Sequence, residues 1–166
     1  VQKWYAALLI VFTVFMLIRI IMAIPAVRRQ IDYRKVHMPV FGKLFKIIYT
    51  ARFARTLSSL YSSGMPIATA LGIAGNTIGN SYVEGQFEQV VALVRSGIPM
   101  SQALREVDGL QKKLASTILV GEESGRLDVM LDSIALSLEA DAEEATKRMV
   151  TLMEPLLIMM MAVIVG

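Results

Sequence analysis

Ser63-Gly64-Met65-Pro66 and Ser96-Gly97-Ile98-Pro99, with the looser Ser124-Gly125-Arg126-Leu127, decide how this chain folds. Each stretch stands between apolar residues at helical spacing. Each puts Gly where a helix would end in a left-handed cap. The first two put Pro where the next helix would begin, at its first position. Ala70-Leu71, Ala103-Leu104 and Met130-Leu131 then open the following apolar faces. Three helix–turn–helix hairpins in a row predict an all-α fold: a six-helix antiparallel bundle built of helical hairpins. The first two copies lie 33 residues apart and the third follows after 28. That irregular spacing, without the aromatic signature, speaks against a tetratricopeptide solenoid.

Around these turns the helices are expected at 41–63, from Pro66 to the Gly75–Asn80 turn, at 82–95, after Pro99, at 111–123, and from Leu127 onward. Leu44, Ile47, Ile48, Ala51, Ala54, Leu57 and Tyr61 form the predicted stripe of the first. Leu127, Leu131, Ile134, Leu138, Ala145, Met149 and Leu152 form that of the last. No stop signal separates this last helix from the apolar run at 149–166, so it is expected to continue into a membrane span there. Glu154-Pro155 marks the mouth of that span. A carboxylate at such depth points to function, and the proline is expected to kink the helix.

At the other end, only Thr13 and Arg19 are polar between Trp4 and Ile24. Twenty-one residues at 1.5 Å make roughly 31 Å of helix, the thickness of a hydrocarbon core. Residues 1–25 are therefore predicted to cross a membrane, 26–40 to form a basic cytoplasmic linker, 41–148 the cytoplasmic bundle, and 149–166 the start of a further span. Arg28, Arg29, Arg34 and Lys35 follow the first span and only Lys3 precedes it, which places 26–148 in the cytoplasm. The missing initiator Met and the truncated final apolar run lead to the expectation that the chain is part of a longer protein.

Charge is lopsided. Residues 1–60 hold ten Lys+Arg and one acid, Asp32, and residues 61–166 hold seven Lys+Arg and thirteen acids. The basic third has a sufficient explanation in topology and anionic lipid. It lacks the aromatic interleaving or binding module that nucleic acid requires. Lys43, Lys46, Arg52 and Arg55 on the first helix are candidate contacts for lipid headgroups or an acidic partner. Arg52 and Arg55, three apart, present together.

Catalytic chemistry is thin. The chain has no cysteine and a single histidine, which excludes disulfide scaffolds, zinc fingers and cysteine nucleophiles. His37 stands in the basic linker with no triad spacing around it, and reads as solvated. Gly42-Lys43 imitates the end of a phosphate loop. The glycine required five residues earlier is His37, and Leu44 replaces the magnesium-binding hydroxyl. Glu139, Asp141, Glu143 and Glu144 spread around a helix and read as a solvated face, with Glu143–Lys147 and Glu144–Arg148 as i,i+4 pairs. No cofactor or metal is expected.

Gly121-Glu122-Glu123-Ser124-Gly125-Arg126-Leu127-Asp128 is the most specific stretch. Together with the Ser-Gly-x-Pro turns and Glu154-Pro155-Leu156-Leu157-Ile158, it resembles the inner-membrane platform family of type II secretion and type IV pilus assembly. The resemblance covers the chain, from the second span through the second cytoplasmic domain into the third span. It implies a non-enzymatic, multi-pass protein of the bacterial inner membrane, expected to be a homo-oligomer. Implied partners are a cytoplasmic motor ATPase, pilins or pseudopilins, other inner-membrane assembly proteins and anionic lipids. A membrane-anchored helical-repeat adaptor remains the alternative, with a membrane-embedded enzyme behind it. Gly121, Glu122, Glu123, Ser124, Gly125, Leu127 and Asp128, with Glu154 and Pro155, are the candidate partner-contact or packing residues. The acids Glu122 and Glu123 sit at the unfavourable, negative end of their own helix dipole. That placement suggests a contact, with a bundle arginine as the competing partner of Glu122.

Overall fold

A computed structural model describes residues 25–39 and 41–165, together with Phe12, Thr13 and Met16. The described residues are all-helical. In chain order the helices are α1 (Pro25–His37), α2 (Gly42–Ser62), α3 (Ile67–Gly75), α4 (Ser81–Glu84), α5 (Phe87–Arg95), α6 (Met100–Arg105), α7 (Lys112–Ser124) and α8 (Leu127–Val165).

The three serine–glycine turns are built alike. Gly64, Gly97 and Gly125 have φ of 84°, 92° and 66°, the left-handed region where a side chain would clash with the following carbonyl. The residue after each glycine donates its N–H back over the last helical turn: Met65 to the Leu60 carbonyl, Ile98 to Leu93, Arg126 to Gly121. This is the six-to-one Schellman bond. The serine before each glycine donates its hydroxyl to the same turn, from Ser63 to Leu60, Ser96 to Leu93 and Ser124 to Val120. Pro66 and Pro99 differ from the expectation. With ψ of 133° and 137° they are extended cap residues just outside the next helix, and their carbonyls accept from Ala70 and Ala103. Proline restrains φ there and lacks an N–H that the helix could not have used.

The longest contact is α2 against α8. The α7 helix packs on α8, α6 on α7, α3 on α2, and α5 on α3. Phe53, Ala54 and Leu57 of α2 meet Leu131, Ile134, Ala135 and Leu138 of α8 in one core, joined by Leu71, Ile78, Val83, Leu114 and Ile118. Phe53 is fully buried and its ring lies 4.8 Å from that of Phe87. The predicted α2 stripe is correct from Ala51 to Leu57. Its early members Leu44, Ile47 and Ile48 are only half-buried, while Tyr49 and Thr50 are buried. Helix packing here selects a face rotated toward the larger Phe53 ring.

Two elements depart from the expected layout. The helix expected at 82–95 is broken into the single turn α4 and α5, with Gly85-Gln86 between. The stretch read as a basic linker forms α1, which packs on α2 and α4. Val36 is buried, and so is Asp32, at 4% exposure. Its 13 residues carry too little apolar periodicity to announce a docked helix. What docks it is polar: a carboxylate at the tip of α4, described below.

The first expected span falls almost wholly outside the described residues. Among the described residues no helix is long and apolar enough to cross a membrane. The apolar end of α8, from Met149 to Val165, carries Glu154 as its single charge. The α8 helix nevertheless continues without a break through Pro155 for 39 residues, about 58 Å at 1.5 Å per residue.

Candidate functional site

The Gly121–Asp128 turn joins α7 to α8. Gly121 is buried because the helices nearly touch there. A Cβ on it would stand 3.0 Å from Met130 Cβ and 3.2 Å from Leu127 Cα. Leu127 is half-buried against the core, whereas Glu123, Ser124, Gly125 and Asp128 face solvent.

Glu122 is neither free nor paired to an arginine. Its carboxylate accepts the Met100 N–H at 2.6 Å, the Ser101 N–H at 3.3 Å, and the Ser101 hydroxyl. Those are the first N–H groups of α6, and Pro99 before them has no side-chain oxygen to cap the helix. Glu122 thus stands at the wrong end of its own helix and the right end of a neighbour, where backbone N–H groups favour an anion. Glu123 makes no hydrogen bond or ion pair among the described residues. The two adjacent acids therefore separate into one structural and one available group.

Asp128 opens a shallow groove with Val129, Asp132, Ser133 and Leu136 of α8 and Ser62 of α2. Val129 and Leu136 are 41% and 54% exposed, so this face of α8 offers apolar surface between two carboxylates. Further along the same rod, Glu154 and Pro155 are exposed.

The expected basic face of α2 is divided by ion pairs. Arg55 forms a two-pronged hydrogen bond to Glu139 of α8, and its guanidinium also lies 3.9 Å from Asp132. The hydrogen bonds from Arg55 hold the Glu139 carboxyl below its usual range, and the same bonds raise Arg55. Lys46 lies 3.5 Å from Asp108. Lys43 and Arg52 are exposed, with no ion pair among the described residues. Of the four candidate cations, two are therefore used inside the bundle. The acids read as a solvated face are also divided: Glu139 binds Arg55, Asp141 binds Lys113 at 3.2 Å, and Glu144 binds Arg148.

Two acids that sequence reasoning assigned no role organise the α1 side. Asp32 accepts Lys35 Nζ at 2.9 Å on one oxygen, and the Ser81 N–H and hydroxyl at 3.0 and 2.8 Å on the other. Asn80 donates to the Asp32 carbonyl and accepts from the Tyr82 and Val83 N–H groups. Burial pushes the Asp32 carboxyl up, but the bonds from Lys35 and Ser81 outweigh it and hold it below its ordinary value. Asp108 gathers Tyr82 Oη at 3.0 Å and His37 Nε2 at 3.1 Å, so His37 is engaged with the bundle. Burial and the bond to Asp108 push the Tyr82 phenol up. Asp32 had one visible signal, as the lone acid among ten cations; Asp108 had none.

Among the described residues no group of three or more His, Cys, Asp or Glu could hold a metal ion. The arrangement is thus that of a helical hairpin bundle whose available groups lie on outer turns and along one protruding helix.

The sequence pattern described as "Type II secretion system (T2SS), protein F" matches residues 53–166. The chain belongs to that family. It is 38% identical over 160 residues to the type IV pilus assembly protein PilC of Thermus thermophilus, covering 96% of this chain and 39% of that protein. It is 31% identical to the type IV pilus assembly protein TapC of Aeromonas hydrophila, covering 99% and 40%. Against the type II secretion system protein F of Vibrio cholerae, identity is 32%, covering 97% and 40%. The chain spans about two fifths of the length of these relatives.

Proposed function

We propose that the chain is the helical core of a non-enzymatic inner-membrane platform in a type II secretion or type IV pilus machine. In this reading a cytoplasmic motor ATPase acts on the bundle, and the bundle passes the motion to pilins or pseudopilins in the membrane. The single observation that carries it is α8. One uninterrupted helix starts at the Gly125 cap, packs through the core by Leu131, Ile134 and Leu138, and runs on into the apolar segment beyond Met149. A force on the exposed turn around Glu123 and Asp128 travels along a rod already anchored to α2 by Arg55–Glu139. Lys43 and Arg52 offer cationic contacts on the bundle. Glu154, exposed within the apolar end, offers a charge to a cation on a neighbouring helix or an incoming pilin.

Lys147 and Arg148 lie on α8 past the last fully buried core residue, Leu138. Replacing both with glycine weakens the helix there by about 2 kcal/mol relative to alanine, without touching the core. The glycine pair is expected to lower piliation or secretion severalfold at unchanged protein level, with the alanine pair near wild type. Equal activity of the two variants would remove the rod from the mechanism.

A further inference from the structure

Arg28, Ile31, Asp32 and Lys35 fall at i, i+3, i+4 and i+7, which puts them on one face of α1. With Gly79 they line a pocket of about 340 Å³ between α1 and the turn before α4. Gly79 has φ of 82°, and a Cβ on it would stand 2.9 Å from Arg52 Nη1. Glycine here lets the Arg52 guanidinium lie against the backbone at the pocket rim. Arg28 and Lys35 of α1 thus line the pocket, and Arg52 of α2 lies beside it against Gly79.

Two acids are nearby, and both are occupied. Asp32 is held by Lys35 and Ser81, and Glu84 accepts the Gly79 N–H at 2.8 Å. Arg28 and Arg52 have no hydrogen bond or ion pair among the described residues. One guanidinium lining the pocket and a second beside Gly79 at its edge, neither with a counter-ion among the described residues, suit a tetrahedral oxyanion that takes several N–H donors at once.

Position decides the source of that anion. The apolar stretch 4–24 ends one residue before α1. Arg28 follows that stretch by four residues and Lys35 by eleven, so if the stretch spans a membrane both cations come close to its headgroups. We propose that this pocket binds the phosphate of an anionic phospholipid headgroup, clamping α1 and the Gly79 turn to the membrane surface. This rests on reading the chain as a membrane platform.

The test uses the full-length protein, and carbonate extraction of host membranes comes first. Release of the protein would overturn the membrane reading itself. For protein that stays, native mass spectrometry in detergent compares binding of phosphatidylglycerol and phosphatidylcholine. Wild type is expected to prefer phosphatidylglycerol. Arg28→Gln with Arg52→Gln is expected to weaken its binding about thirtyfold, at about 1 kcal/mol for each cation. Should the double variant fail to fold, Arg28→Gln alone is expected to weaken it about fivefold. Arg95→Gln with Arg105→Gln removes equal charge elsewhere and is expected to change little. No lipid preference, unchanged binding in the Arg28 variants, or an equal loss in the control would overturn the pocket. Displacement of the lipid by millimolar inorganic phosphate would overturn the lipid source and leave a free-anion site.

Discussion

Glu122→Ala is expected to lower the thermal midpoint of the bundle by about 10 °C or more, whereas Glu123→Gln leaves it near wild type. The carboxylate of Glu122 accepts two backbone N–H groups and one hydroxyl. Its removal exposes the start of α6 without a cap and leaves polar groups on Ser101 and Met100 unpaired, and both residues are buried. Hydrogen bonds to a charged group contribute about 1.5–3 kcal/mol, and each kcal/mol shifts the midpoint of a domain this size by roughly 4 °C or more. Glu123 holds nothing inside the bundle. Its substitution is therefore expected to show in assembly activity alone, while activity in Glu122→Ala falls in proportion to folded protein. Circular dichroism melts beside a piliation or secretion assay read both. A stable Glu122→Ala variant would show that the α6 cap is dispensable.

Asp32→Ala is expected to cost about 3 kcal/mol and to free α1 from the bundle. Asp32 is 4% exposed and joins residues 49 positions apart through Ser81. Its loss leaves the Ser81 N–H and the α4 tip without their anion. The pH dependence has a definite sign. Because the folded carboxyl titrates below its ordinary value of 3.8, its contribution is complete above that value. It is lost as pH falls through the lower folded pKa. Glu139, held low by Arg55, acts in the same direction. Wild-type stability is expected to drop below about pH 4, with a shallower drop in Asp32→Asn. Urea midpoints measured at neutral and acidic pH check this, and an identical acid slope in the variant would contradict it.

Both cases show where sequence reading stops. The turns at Gly64, Gly97 and Gly125 were legible because a Schellman cap is local: one glycine, one preceding serine and the six residues they close. The core face of α8 was legible because Leu131, Ile134 and Leu138 recur at helical spacing. Glu122 was visible as an acid at the wrong helix end, but its partner lies 21 or 22 residues away across a turn. The helical character of 25–37 was hidden because Asp32 and Val36 are buried by residues of α2 and α4, not by a stripe of their own. Arg55 looked like half of a surface patch because its partner Glu139 is 84 residues distant.

The central claim is that α8 carries motion from the exposed turn to its apolar end without a hinge. Spin labels at Asp128→Cys and Met153→Cys, both exposed positions on α8 before Pro155, would lie about 38 Å apart on a straight helix. Electron–electron resonance on the full-length protein in lipid bilayers, with and without a motor ATPase turning over, measures that distance. A single narrow distribution near this value under both conditions is the predicted result. A distribution that broadens or shortens when the motor turns over would show that α8 bends between bundle and membrane, and would contradict the rod.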